Sequence, residues 1–434
     1  MRYLNYIFLT YFLALISLPV SNLLRLDVQQ LFRLPYIDIR YFDIALLLLL
    51  LVTFSSNFIL TIKSRSKVSI LILVFGIFLI INFIRTIGKI ELNAQIGFLL
   101  AYLSLFIIYY ITNYFDKKDI LLFIKKKYIL IIFLVFSLQL STLFLFFSGQ
   151  SIIHDDVMGK RILFDVIGSK ETIGVHNVIV FSFLLALFNQ ELFGNKKFLK
   201  LFSLLFIIIV IITTTLSFHR GLTFSIIFCV LSYLFFISKN RIRTIVITIL
   251  IIILSSSFLI IYEEEFIKVG VNPVENFLST IEYGIDTKNL NWDKGRELSR
   301  IIGIQIWLDN FWLGMGFDYM FKYTSYQEIA TPHHLVISSL MFNGLIGTIL
   351  FIGIYIIFYW KTFRLFRKVL SGKVKEEDRV ISLILIITAI LWLIPALTQE
   401  VQFERYSSSI QYIFFGAIIK LDDYYEGIIN EQKI

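Results

Sequence analysis

From Thr244 to Tyr262 the chain contains no Asp, Glu, Lys or Arg, and charge-poor apolar blocks of this kind recur along its whole length. A run of roughly 18 or more apolar residues is long enough to cross the hydrocarbon core of a bilayer. Backbone groups in lipid must bond within their own segment, so such runs are helices unless the chain closes into a barrel. A barrel needs short alternating strands, and none of these blocks alternates. Twelve blocks can be marked, at about 3–20, 42–62, 68–86, 94–113, 128–148, 173–190, 199–218, 221–238, 243–262, 334–360, 380–399 and 405–421. The expected fold is an all-α polytopic membrane protein with about 12 transmembrane helices, read as one integral membrane domain over 1–434. The first block looks like a signal peptide without a small-x-small cleavage site, and is read as an uncleaved helix.

Charge fixes an orientation. Alternate connections are basic: "KSRSK" at 63–67, "DKKDILLFIKKK" at 116–127, "NKKFLK" at 195–200, "KNRIR" at 239–243, and the stretch 361–379. The positive-inside rule places them, and both termini, in the cytoplasm. On that side fall 24 of the 40 Lys and Arg but only 10 of the 31 Asp and Glu. The net charge of +9 is therefore an orientation signal and not the footprint of a nucleic acid. One outer connection stands apart: residues 263–333, between spans 9 and 10, form a large periplasmic loop inserted in the bundle. Its tryptophans and periodic apolar residues predict that it folds against the membrane. The spans carry almost no ionisable group at their middles, which argues against a coupled transporter. The polar chemistry sits at the outer helix ends. The single cysteine, Cys229, excludes an intrachain disulfide and a cysteine metal site.

Three stretches could carry chemistry. In "ATPHHLVISSLMFNGLIG", 330–347, Thr331 suits a helix N-cap and Pro332 the first helical position. His333 and His334 then fall in the first turn, where the positive end of the helix dipole favours a neutral imidazole, the form a base requires. At 100° per residue, Gly344 lies within about 20° of the face of His333 and Gly347 within about 40°, a seam for close helix approach. In "TTTLSFHRG", 213–221, Arg220 is a lone cation at an outer turn, with His219 beside it. Arginine holds phosphate oxygens bidentately and keeps its charge. In "WDKGRELSRIIGIQIWLDNFWLGMG", 292–316, residues 296–309 read as an amphipathic helix. Arg296 and Arg300 share a face one turn apart, and Trp307 falls near it, where a ring can stack on a sugar. A helix lying on the membrane accounts for the same pattern. "HDDVMGKR" at 154–161 resembles a metal site, but adjacent acids in a polar loop are read as solvated, and no metal is assigned. Glu400, Glu404 and Arg405 in "QEVQFER" mark the last outer turn.

Together these stretches resemble the superfamily of O-antigen ligases and O-antigen polymerases. Its hallmark is a His followed by Asn, Ser or Gln, nine residues, then Gly-x-x-Gly, opening a helix after a large periplasmic loop. His333, His334, residues 335–343 and "GLIG" reproduce that spacing, with His334 in place of the small polar residue. "HRG" at 219–221 is similar to the family's Ser-Arg-Gly, and "NFWLGMG" to its Asn-Pro-hydrophobic-x-Gly-x-Gly. The resemblance implies a GT-C-like bundle in the bacterial inner (cytoplasmic) membrane, with the active site on the periplasmic or outer face. It implies a glycosyltransferase without metal or other cofactor. The donor is a glycan on undecaprenyl diphosphate. The acceptor is a second lipid-linked glycan in a polymerase, or lipid A–core in a ligase. His333 is the implied catalytic residue, and Arg220, Arg296 and Arg300 hold the diphosphate. His334, Trp307 and Arg405 are accessory candidates, and Gly344 and Gly347 structural ones. Membrane lipids and a chain-length regulator are expected partners. A polymerase is preferred, because different repeat units require different polymerases. A lipid-linked oligosaccharide flippase is the rival from another class.

Overall fold

The computed structural model describes residues 30–34, 37–40, 44–48, 50–51, 67–88, 92–122, 139–140, 143, 153–155, 161–163, 181–189, 196–216, 220–268, 290–316, 332, 334–398 and 405–431. Among the described residues two short antiparallel hairpins accompany the helices. One pairs β1 (Gln30–Leu34) with β2 (Ile37–Arg40), and the other β3 (Ile153–Asp155) with β4 (Arg161–Leu163). The expectation of an all-α chain is corrected to that extent. Both hairpins fall between the apolar blocks, so the helical reading of the blocks is untouched. Asp155 of the acidic "HDD" stands opposite Arg161 in the second hairpin's register.

The helices are α1 (Lys67–Thr86), α2 (Leu92–Leu103), α3 (Phe106–Tyr114), α4 (Lys117–Leu122), α5 (Lys197–Leu216), α6 (Arg220–Ser232), α7 (Arg241–Ile261), α8 (Glu263–Lys268), α9 (Leu290–Asp309), α10 (Leu335–Leu370), α11 (Glu376–Thr398) and α12 (Arg405–Glu431). Among the described residues four helices are long and apolar enough to cross a membrane: Lys67–Thr86, Lys197–Thr214, Arg241–Ile261 and Leu335–Leu370. The molecule is thus a helical membrane protein. The first block, and most of those at 42–62 and 128–148, lie outside the described residues.

Several expected spans differ in detail. The block 94–113 is two helices, parted by a turn at Ser104 and Leu105. The block 221–238 ends in a π-helical turn, Tyr233–Ile237. Those at 334–360 and 405–421 run on as helix to Leu370 and Glu431. Lysines and acids beyond a membrane boundary do not end a helix. They only leave the lipid.

Helix α10 is the axis of the core and packs against α1, α9, α11 and α12. Rings from three of these helices and α2 interlock there. Phe75 lies 5.6 Å from both Tyr102 and Phe351, and Phe351 5.1 Å from Tyr355, which meets Phe415 at 5.7 Å. Helix α10 is not one continuous helix. Gly344 adopts φ 63°, ψ −169°, and breaks it into two segments.

Candidate active site

The site is assembled where α9 meets the N-terminal end of α10. Ile302 and Ile306 of α9 are buried, and Ser299 Oγ donates to the Pro332 carbonyl at 3.4 Å. Gly303 completes the contact. A Cβ there would stand 2.7 Å from Pro332 Cγ and 3.0 Å from Ile337 Cγ2, so only glycine admits this approach without displacing a neighbour. The helix expected over 296–309 thus exists as Leu290–Asp309 and docks on the stretch that carries the His doublet.

His334, not Thr331, caps α10. Its backbone is extended (φ −155°, ψ 123°), as an N-cap requires, and its carbonyl accepts from Ser338 N–H at 2.9 Å. Its Nδ1 accepts from the N–H groups of Val336 at 3.3 Å and Ile337 at 3.5 Å. The placement of His334 inside the first turn is therefore corrected, because the helix begins at Leu335. The cap also explains the residue types that the resemblance gives this position. Asn and Ser are the usual caps, and His334 supplies the same acceptor from its ring. An Nδ1 lone pair used in this way leaves the ring proton on Nε2, so His334 presents a donor, not a base. Burial lowers its pKa below the ordinary imidazole value, and the nearby Arg300 guanidinium lowers it further.

Arg300 is half-buried, and its Nε–H has no acceptor among the described residues. A buried donor without a partner is costly, and a ligand oxygen removes the cost. Trp307 lies on the same stripe of α9. Its ring stacks on Phe311 at 5.1 Å and its indole N–H donates to the Phe311 carbonyl at 3.1 Å.

The two glycine motifs form a single object. The turn 310–316 lies along the break in α10. Met315 N–H donates to Met341 O at 2.8 Å and Gly316 N–H to Phe342 O at 3.1 Å. In the other direction, Leu345 N–H donates to Phe311 O at 2.8 Å and Ile346 N–H to Trp312 O at 3.2 Å. Gly314 and Gly344 both have positive φ, and a Cβ on either would run into the backbone of the other's segment. Gly347, one turn on, seats α1 through the Phe78 ring. The break at Gly344 corrects the seam where it was carried on to Gly347, since a helical wheel cannot be carried across that residue.

Sequence reasoning missed Arg85 and Asn82, on the last turn of α1. Arg85 Nη2 donates to Gly314 O at 2.5 Å and Leu313 O at 3.3 Å, and Arg85 Nε to Asn82 Oδ1 at 3.1 Å. Asn82 Nδ2 donates to Phe342 O at 3.2 Å. Arg85, like Arg220, is a cation at a helix end where the orientation rule disfavours one.

Arg220 is the first residue of α6, and Arg296 lies on α9 one turn before Arg300. Arg405 opens α12. Their side chains, and His333, His219, Glu400 and Glu404, lie outside the described residues.

No curated protein matches the chain. Residues 201–352 match the family model described as O-antigen ligase. That span holds Arg220, α9, the glycine crossing and both histidines, while Arg85 and Arg405 fall outside it. Residues 201–352 are thus similar to the O-antigen ligase family, the superfamily that the motifs resemble.

Proposed function

We propose that the protein is a glycosyltransferase that polymerises undecaprenyl-diphosphate-linked oligosaccharide repeat units at the outer face of the bacterial inner membrane. About twelve spans, cytoplasmic termini and a periplasmic loop over 263–333 belong to this reading. The observation that carries it is that the O-antigen ligase match covers the segment in which α9 brings Arg300, its Nε–H without an acceptor among the described residues, near His334, the cap of α10.

His333 takes the proton of the acceptor hydroxyl as its oxygen attacks the anomeric carbon of the donor sugar. The bond from that carbon to the diphosphate oxygen breaks, and the undecaprenyl diphosphate leaves as an anion. Arg220, Arg296 and Arg300 neutralise it. Catalysis is thus positioning plus charge stabilisation and needs no metal. His334 holds the helix start and offers Nε2–H to an oxygen of either substrate. Arg405 lies on a further helix start that borders the same side.

The alternative acceptor is lipid A–core, which makes the protein an O-antigen ligase. The lipid and glycan profile of a deletion strain separates the two. Single repeats on core indicate a lost polymerase, and full-length chains stranded on undecaprenyl diphosphate indicate a lost ligase. If His333→Ala and Arg300→Ala proteins insert normally and still build wild-type polysaccharide, the enzyme reading fails, and a flippase or assembly partner takes its place.

A further inference from the structure

The outward side of α9 is apolar. Ile301 is 47% exposed, Leu308 58% and Trp312, in the turn that follows, 62%, with Ile304 beside them. Gln305 and Asp309 are exposed along one edge of the strip and Glu297 at its N-terminal end, the pattern of an interfacial helix and not of a spanning one. The strip does not end at the turn. Trp312 is backbone-bonded to Ile346, and from there Ile346, Ile349, Ile356, Trp360 and Phe363 are exposed along α10 at spacings of three to seven residues. That is the lipid face of a membrane-crossing helix, and α9 continues it.

A count along α10 supports the same depth. No charge occurs from Leu335 to Trp360, and cations begin at Lys361. About 20 residues cross a hydrocarbon core, so counting back from Trp360 the far boundary falls near Met341. The turn 310–316 is bonded to residues 341–346, at or just below that level. Non-helical backbone is tolerated there only if its polar groups are satisfied by protein. They are: the exchanged bonds pair the N–H groups of the break, and Arg85 and Asn82 cap the carbonyls of Leu313, Gly314 and Phe342.

We propose that α9 and the turn 310–316 lie in the bilayer leaflet at the N-terminal end of α10, with Ile301, Ile304, Leu308 and Trp312 against lipid hydrocarbon. Arg300, on the flank between this strip and α10, then stands at headgroup depth, where a lipid's phosphates lie. The proposal does not depend on the transferase reading, and its test reads no glycan. Cys229 is buried, so an added surface cysteine is the one a nitroxide reagent reaches. Labels go on Ile301→Cys, Leu308→Cys, Gln305→Cys and, as a mid-span reference, Ile356→Cys, in vesicles of phosphatidylethanolamine and phosphatidylglycerol. The labels at 301 and 308 should be reached by oxygen better than by a water-soluble nickel chelate, like that at 356, and the label at 305 the reverse. If the chelate reaches 301 and 308 as well as 305, the strip lies in water and the proposal is overturned. If neither reagent reaches them, a protein partner or second copy covers the strip, which overturns it equally. Should a labelled variant fail to fold, brominated lipids test the unlabelled chain. Trp312→Phe should remove a quenchable part of the emission of the five tryptophans, and an unchanged quench overturns the proposal.

Discussion

The two ends of α10 handle charge in opposite ways. At the C-terminal end three cations of α10, Lys361, Arg364 and Lys368, are paired with acids of α12. Lys368 meets Asp422 at 2.7 Å and Glu426 at 2.8 Å, Arg364 meets Glu426 at 2.5 Å, and Lys361 pairs with Asp423. Beside them Lys117 meets Asp378 at 2.5 Å, and Tyr425 donates to the same carboxylate. At the N-terminal end, among the described residues, Arg85 has only neutral oxygens and Arg300 no carboxylate. One end neutralises itself and staples α12 to α10. The other holds its backbone with glycines and amides, and among the described residues its two cations meet no acid.

The comparison can be broken at either end. Lys368→Ala should have the largest effect. It takes the nearest cation from Asp422, which is fully buried and keeps Arg364 at 3.3 Å and Lys361 at 3.8 Å, and should cost up to about 3–5 kcal/mol in thermal unfolding in detergent. Polymer made per folded molecule should not change. Arg300→Ala should do the reverse: activity falls on the order of 100-fold or more while the melting temperature is kept. Arg300→Lys should restore only part of it, since Lys lacks the planar fork. If Arg300→Ala melts the protein as Lys368→Ala does, the contrast between the ends is false.

Gly344→Ala and Gly314→Ala come next, at about 2–4 kcal/mol each, from the positive φ and the facing backbone. Because each glycine makes room for the other's segment, the double variant should cost less than the sum, which a double-mutant cycle would read. His334→Ala should remove about 1 kcal/mol, the worth of a cap. The cap needs an unprotonated Nδ1, so its stability is present above the ordinary imidazole pKa and is lost as pH falls through the lowered one. In Arg300→Ala that acid loss should move to higher pH, toward the ordinary value, because one cause of the lowering is gone. Glu426→Gln, at a partly exposed pair, should be smallest, about 0.5–1 kcal/mol and less in high salt.

Much of the frame was legible because lipid imposes it. The starts of α1, α5, α7 and α10 fall within two residues of the apolar blocks at 68, 199, 243 and 334. The glycine motifs were legible as spacings, but not as partners. Nothing local in "LGMG" or "GLIG" says that each supplies the hydrogen bonds the other lacks. Gly344 defeats a helical wheel because one positive φ turns everything beyond it. Thr331-Pro332 is a better helix start by propensity than His334, and the docking of α9 on Pro332 and Ile337 overrides it. Arg85 was hidden because an arginine at a membrane boundary so often anchors and does nothing more.

The crossing at Gly314 and Gly344 also limits how this protein can be re-engineered. Residues 310–316 and 341–347 complete each other's backbone, and Arg85 and Asn82 on α1 close the remaining carbonyls. The loop is therefore not a removable module, although it looks like an insertion between two spans. A chimaera that exchanges specificity between relatives has to carry everything from α9 through Gly347 as one cassette, into a scaffold whose first described span supplies the same two side chains.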